Sequence, residues 1–596
     1  MEPAQIDRIR ARTRGAHGTS VWRVFAFFVC CAAAPLAADE TDGKIVVSGI
    51  PNSFRADALA RIQLDDEPCN APRRRIRRLL AVAQDDIRKV LQIEGYYSPT
   101  VVAESSRQQN CWRVAFDIDV GPPVLIRNVI FRIGGEGSDD RALLKSHDPQ
   151  VLLPGQRLRH AHYETSKQAT AALARSRGYF DARYTTNRID VYPQQQAADI
   201  VLIFETGTRY RFGEVTLTQD VLTEGLVRRF IDFDSSTYYD AKLISELYKD
   251  FYAANYFESV DIVTQQRPAP DFDVPLDIRL TAAKPQSYTG GVGFATDTGL
   301  KVRGDYVHRR LNRRGHQLEL NGNFSRVVSD LGTSYRLPLR RPREEWLNFD
   351  TGFRYENTDT SRSNIFKVGA KHIRLRAGDW VETRFVDVGI EDFEVADESG
   401  RSTLVIPGVS WIQRRSFAKR RPDKGHTLTF RVSGSAELVL SEATFLQAEA
   451  TAKYIWPLWA GARIIGRADV GFTATDDFDS LPASVRYFAG GDTSVRGYAF
   501  ESLGPENANG DVVGGNHRFV ASLEIDQLIR PNWSVALFAD AGNAFDDFKA
   551  VEVASSIGAG IRWYSPLGPI RVDFAVPLDD DAPDNFRIHI TLGPDL

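Results

Sequence analysis

Two hydrophobic periodicities divide this chain near residue 285. Before that point, alternating runs flank stretches with apolar residues three or four positions apart. After it the helical period is gone, and segments of about ten residues alternate apolar with polar between turn signals. The first half also repeats itself. Gly95-Tyr96-Tyr97 leads into Val101 and Val102, Gly178-Tyr179-Phe180 into Ala182 and Tyr184, and Asn255-Tyr256-Phe257 into Val260 and Ile262. Each copy follows an amphipathic helix, read from Ile76, Leu80, Ala83, Ile87 and Val90 in the first and Leu243, Leu247 and Phe251 in the third. Alternating runs at 45–50, 126–133 and 212–217 open the copies, and runs at 114–120, 200–204 and 275–280 close them. The unit is strand, helices, strand, strand, at 44–121, 122–206 and 207–284. The joints Gly121-Pro122-Pro123 and Gly207-Thr208 leave almost no linker, so neighbouring units are expected to form a semi-rigid arm. A three-stranded sheet covered on one face keeps an open edge that can accept an extended segment of another chain.

From 286 to 596 the alternation predicts sixteen strands, at 288–296, 301–309, 315–325, 331–340, 346–357, 364–375, 380–393 and 402–413, then 424–435, 443–456, 461–472, 515–529, 531–540, 553–565, 569–577 and 585–593. An even count of strands this long fits an antiparallel transmembrane β-barrel with both ends on the periplasmic side. Connection lengths support it, because short joints at 311–314, 457–460, 530–531 and 566–567 alternate with long ones at 357–363, 473–514 and 541–552. The basic stretch 414–423 is the exception, a longer turn on the short side.

Composition narrows the classes. The apolar fraction is 43% and mean hydropathy −0.29, with no run approaching the ~20 apolar residues of a spanning helix. A barrel survives that test, since lipid-facing and lumen-facing residues average out. The net charge of −4 offers no field for nucleic acid. Arg8, Arg10, Arg12 and Arg14 precede an uncharged run at 24–38, the layout of an export signal over 1–38. Cleavage after Ala38 would put Leu36 at the usually small −3 position, and the long basic region also fits a later translation start. Removing that segment takes Cys30 and Cys31 with it. Cys69 and Cys111 remain, and in an oxidising compartment they are expected to pair.

The longest loop reads Arg486-Tyr487-Phe488-Ala489-Gly490-Gly491-Asp492-Thr493-Ser494-Val495-Arg496-Gly497-Tyr498, and Phe538-Ala539-Asp540 follows in a later strand. The Val-Arg-Gly-Tyr run and the Phe-x-Asp motif resemble those of the BamA/TamA superfamily of outer-membrane assembly proteins and their two-partner-secretion relatives. The repeated unit resembles the polypeptide-transport-associated (POTRA) domain. The resemblance implies that Arg496 folds into the lumen and pairs with Asp540. Parity agrees, since Trp533, Val535 and Leu537 take the lipid side and leave Phe538 and Asp540 inside. Gly497 would permit a close turn, Tyr498 would pack beside it, and Glu524 is a further acceptor. The resemblance also implies a lateral seam. The first strand carries Gly290, Gly291 and Gly293, and the last ends in Gly593 and Pro594, which has no N–H for a ladder.

Three modules favour the TamA type, implying insertion of unfolded outer-membrane proteins such as autotransporters, contact with outer-membrane lipid, and a periplasm-spanning partner of the TamB type. A lipid-conducting or two-partner-secretion pore is the alternative. No catalytic constellation, cofactor motif or metal site is expected. His160-Ala161-His162 has ligand-like spacing without companions, and Asp579-Asp580-Asp581 with Asp584 reads as a solvated loop.

Overall fold

The residue that ends each repeated helix is the one that must turn left-handed. Gly95, Gly178 and Asn255 have φ of +93°, +90° and +62°, a region that glycine enters freely and asparagine tolerates. After the first two, the next aromatic donates its N–H back into the helix, Tyr96 to the Leu91 carbonyl at 2.8 Å and Tyr179 to that of Ala174 at 3.0 Å. The repeated motif is therefore a helix stop that aims the chain into a strand.

A computed structural model describes residues 44–592 apart from 61, 65, 109–110, 147–151, 417–420, 438–439, 550, 567 and 581. The expected export segment, with Cys30 and Cys31, and the terminal Gly593 and Pro594 lie outside the described residues. The first module comprises β1 (Ile45–Ser48), α1 (Asn52–Ala60), α2 (Arg73–Ile93), β2 (Thr100–Gln108) and β3 (Cys111–Asp119). The second comprises β4 (Leu125–Gly134), α3 (Arg141–Leu144), α4 (His160–Ser176), β5 (Arg183–Tyr192) and β6 (Ala197–Glu205). The third comprises β7 (Arg211–Thr218), α5 (Glu224–Arg228), α6 (Ala241–Ala253), β8 (Phe257–Thr264) and β9 (Asp273–Ala282). In every sheet the closing strand lies in the middle, parallel to the opening one and antiparallel to the other. The middle strands bury alternate residues against the helices, as Val114 and Phe116 do against Ile87 and Leu91.

Cys69 and Cys111 are bonded, tying the start of β3 to the segment before α2. The bridge closes a loop of 42 residues. In the chain-entropy picture that constraint stabilises the module by about 3–4 kcal/mol. Replacing both cysteines by serine is expected to raise tryptic cleavage within residues 44–120 of the full chain; an unchanged cleavage rate would show that the bridge contributes little.

The remaining strands are β10 (Gln286–Ala295), β11 (Gly299–His308), β12 (Gln317–Phe324), β13 (Val328–Pro338), β14 (Glu345–Asn357), β15 (Ser361–Arg376), β16 (Trp380–Val395) and β17 (Glu398–Ser416). They continue with β18 (Gly425–Ser435), β19 (Phe445–Pro457), β20 (Ala462–Thr475), β21 (His517–Arg530), β22 (Trp533–Phe545), β23 (Ala554–Ser565), β24 (Gly568–Pro577) and β25 (Arg587–Leu592). These sixteen close into one antiparallel barrel. Its outer face carries bare apolar side chains, among them Leu523, Leu537, Ile557 and Phe574, as a lipid-facing wall requires. Several strands outrun their predicted ends, β17 and β22 by the most. β17 extends to both sides of 402–413, and β22 continues past 540 to Phe545, because the pairing extends beyond the stretch whose alternation marks it in sequence.

The third module is fastened to the barrel's periplasmic turns. The buried Tyr256 hydroxyl donates to the Gly315 carbonyl at 2.5 Å, and burial pushes its pKa up to about 12. Arg229 donates to the Leu339 carbonyl at 2.9 Å and Arg309 to Asn255 at 2.9 Å. The third copy of the repeated motif therefore also serves as an anchor.

Candidate functional site

The chain from β20 to β21, residues 476–516, turns back into the lumen. Gly490 and Gly491, both at φ +100°, make the turn; a Cβ at Gly491 would lie 2.8 Å from an Asp297 oxygen. Val495 and Tyr498 are buried. Gly497 is pressed against the wall, with its N–H donating to Ser556 Oγ at 3.1 Å, and an added Cβ would meet Ser556 Cβ at 2.7 Å and Pro577 Cα at 3.0 Å. No larger residue fits there without displacing a strand.

Arg496 reaches three strands of the wall, β21, β22 and β24. Its Nε and Nη2 donate to the two oxygens of Asp540 at 2.8 and 2.9 Å, a bidentate pair. Nη1 donates to Glu524 at 2.9 Å and faces Asp573 at 3.4 Å, Nη2 also reaches Ser522 Oγ at 3.2 Å, and the backbone N–H donates to Asp540 at 3.2 Å. The guanidinium carbon stands 3.4 Å from the centre of the Phe538 ring. Strand register makes room for this. Phe538 lies opposite Gly558, Asp540 opposite Ser522 and Ser556, and Asp573 opposite Gly560, so each large lumen residue has a small neighbour.

All six residues expected at the lumen lock, Arg496, Gly497, Tyr498, Phe538, Asp540 and Glu524, come together here. Sequence reasoning missed the other half of the cluster. Arg562 donates to Glu524 at 3.1 Å and to Asp573, so two guanidiniums are threaded through three carboxylates. His589 on the last strand sits opposite Asp573, with Nε2 2.7 Å from the Arg496 carbonyl. Asp579 lies in the exposed turn after β24 and accepts the Tyr498 hydroxyl and the Ser555 N–H, the latter at 3.0 Å. His160 heads α4 and contacts the Tyr97 hydroxyl at 2.6 Å.

A second cluster occupies the periplasmic end of the lumen. Asp526 accepts from Arg463 at 2.8 Å, Arg421 at 3.0 Å and the Tyr564 hydroxyl at 2.8 Å. Arg421 belongs to the basic stretch that broke the loop-length pattern. The described end of that turn reaches inward, since Pro422 gives its carbonyl to Arg463 at 2.7 Å beside Arg421.

The seam is nearly without a ladder. Every other strand pair of the barrel holds six or more register pairs, whereas among the described residues β10 meets β25 only at Ala295 and Thr591. The glycines do not cause this on steric grounds, because a Cβ at Gly290, Gly291 or Gly293 meets nothing closer than 3.9 Å. β25 has six described residues, Arg587–Leu592.

The family model of the Omp85 superfamily domain matches residues 288–595. The chain belongs to the Omp85 superfamily. In this Omp85 chain, residues 44–120 also match the model of the POTRA domain described as TamA domain 1. Among curated relatives it is 23% identical over 499 residues to the outer membrane protein assembly factor BamA of Nitratidesulfovibrio vulgaris, covering 78% of this chain and 61% of that one. It is 22% identical over 505 residues to the BamA of Neisseria meningitidis serogroup B, covering 72% and 62%. The chain thus spans about three fifths of the length of these relatives. Among solved structures, the Haemophilus ducreyi BamA lacking POTRA domains 1–3 superposes with a TM-score of 0.61 at 17% identity, over 78% of this chain and 99% of that one, a likeness of fold. Family and architecture together make this an outer-membrane barrel with its N-terminal modules in the periplasm.

Proposed function

We propose that this Omp85 chain inserts outer-membrane β-barrel proteins by offering the free edge of β10 to a strand of an unfolded client. The observation that carries the reading is the seam. β10 brings ten residues to it and only Ala295 is in register with a described residue of β25. Unpaired backbone groups facing hydrocarbon cost several kcal/mol each, so such an edge draws in any strand able to satisfy it. The sheet edges of the modules would hold clients in extended form on the way. The work is strand exchange and bilayer thinning, with no bond chemistry, cofactor or metal.

The match of the first module to a TamA-type POTRA model, and the presence of three modules, favour clients that include autotransporters and a TamB-type periplasm-spanning partner. Against the reading as a lipid or polypeptide pore stands the inward loop. It fills the lumen beside the Arg496 cluster and leaves a cavity of about 370 Å³.

The test is to shut the seam. Ala295→Cys with Thr591→Cys places two thiols directly opposite each other. In lipid vesicles, oxidation is expected to stop folding of a urea-unfolded barrel client and reduction to restore it, with reduced wild type controlling for the Cys69–Cys111 bridge. Undiminished client folding by the oxidised protein would dismiss the exit route.

A further inference from the structure

Where backbone pairing across the seam stops, side chains take over. Beyond the Ala295–Thr591 rung, the Thr296 N–H donates to the Ile590 carbonyl at 3.1 Å, and the Ile590 N–H donates to Thr296 Oγ1 at 2.9 Å. The next residue, Asp297, lies in the turn between β10 and β11. One of its oxygens is 3.3 Å from His589 Nδ1 on β25, across the seam. The other accepts the backbone N–H of Asp492 from the inward loop at 2.6 Å. The second ring nitrogen of His589 faces the Arg496 carbonyl at 2.7 Å. Both side chains are almost fully buried, at 2% and 6% exposure. The loop therefore holds both banks of the seam, the last strand through the Arg496 carbonyl and the first hairpin through the Asp492 N–H.

These contacts are few and buried, and the rung they reinforce is single. The 3.3 Å approach of His589 to Asp297 is an ion pair when the imidazole is protonated, and it is buried where water screens it little. Arg496 also joins this contact to the lock. Its side chain is held by Asp540 and Glu524 while its own carbonyl holds His589, so the loop cannot leave the wall without releasing the last strand.

We infer that His589 and Asp297 form a clasp through which the seating of the inward loop keeps the outer end of the seam shut. His589 is a positioning residue: it touches no client and acts through the loop and the first hairpin. Gly491 belongs to the device, because any side chain there would displace the Asp297 carboxylate. The inference rests on the reading of the seam as the client exit only for its consequence, not for the clasp itself.

The experiment places spin labels on two lipid-facing positions flanking the seam, Val292→Cys and Ile588→Cys, in the full chain reconstituted in lipid, and measures their separation. The parent protein is expected to give one narrow, short distance. His589→Ala and Asp297→Ala are each expected to move at least half of the population to longer distances, and the double variant to match either single one. Heat-modifiable mobility, which reports the closed barrel, is expected to stay intact in all three. Should His589→Ala fail to assemble, Asp297→Asn gives the same reading with little change in shape. An unchanged distance distribution in folded His589→Ala or Asp297→Asn protein would overturn the clasp. Client folding separates the two ideas. A seam that opens without altering client folding leaves the clasp standing and defeats the exit route. A seam that stays shut in the variants, while the oxidised Ala295–Thr591 pair still blocks clients, does the reverse.

Discussion

Arg496→Ala is expected to produce the largest loss of any single substitution in the barrel. The guanidinium makes a bidentate pair with Asp540, a bond to Glu524 and a stack on Phe538, and the Asp540 side chain has no exposed surface. Its removal leaves Asp540 without its bidentate partner and Glu524 and Asp573 with Arg562 alone of the pair of guanidiniums, while Arg467 is near enough to feel Asp540 and Glu524. Breaking a buried pair from one side costs about 3–5 kcal/mol, most of it the penalty of the charge left behind. The expected result is a fall in the temperature at which the folded band disappears in heat-modifiability gels. Larger and steadier single-channel currents should accompany it as the loop leaves the lumen. Arg496→Lys should recover little, because an ammonium cannot make the two parallel bonds that hold Asp540 or stack flat on Phe538. An Arg496→Ala protein with parent-like gel mobility and client folding would remove the lock from the mechanism.

How much of this could be read along the chain depended on distance in sequence. Alternation places a side chain inside or outside the barrel, and it located all sixteen strands, because the period-two signal is local. It says nothing about which inward residues meet around the circumference. Arg562, Asp573 and His589 show the gap. Each is a lone polar residue between lipid-facing neighbours, Ile561 and Trp563, Val572 and Phe574, Ile588 and Ile590. That parity was enough to mark them as lumenal. It could not bring them to Arg496, which lies 66 to 93 positions earlier in the chain and joins them by folding inward. The motif resemblance supplied the Arg496–Asp540 pair for the same reason that spacing could not. Weakness at the seam was foreseen from glycines and a proline; a Cβ at any of the three glycines of β10 would meet no clash, and Gly593 and Pro594 lie outside the described residues.

The periplasmic cluster makes a prediction that the sequence motifs do not contain. Asp526 is fully buried and is the shared acceptor for Arg463, Arg421 and the Tyr564 hydroxyl. Arg463 is also buried. Asp526→Ala would strand two guanidiniums in a confined lumen, at a cost again of about 3–5 kcal/mol for the buried pair. The direction of the damage differs from that at Arg496. Arg421 holds the turn between β17 and β18 beneath the barrel through the Gly461 carbonyl at 3.0 Å as well as through Asp526. Losing the carboxylate should therefore release that turn to protease at Arg421 while the inward loop keeps its grip on Asp540. Asp526→Asn is the informative companion, because an amide keeps an acceptor for the Tyr564 hydroxyl and one guanidinium but carries no charge. If the cluster works by charge, the asparagine variant falls close to alanine in thermal stability; if it works by hydrogen-bond geometry, asparagine stays near the parent. The two clusters share no residue but adjoin, with Glu524 two positions before Asp526 on β21 and Arg562 two positions before Tyr564 on β23, so the penalties of Arg496→Ala and Asp526→Ala are expected to depart from additivity by about 0.5 kcal/mol or more. A strictly additive double variant would mean that the loop and the turn are held independently despite this proximity.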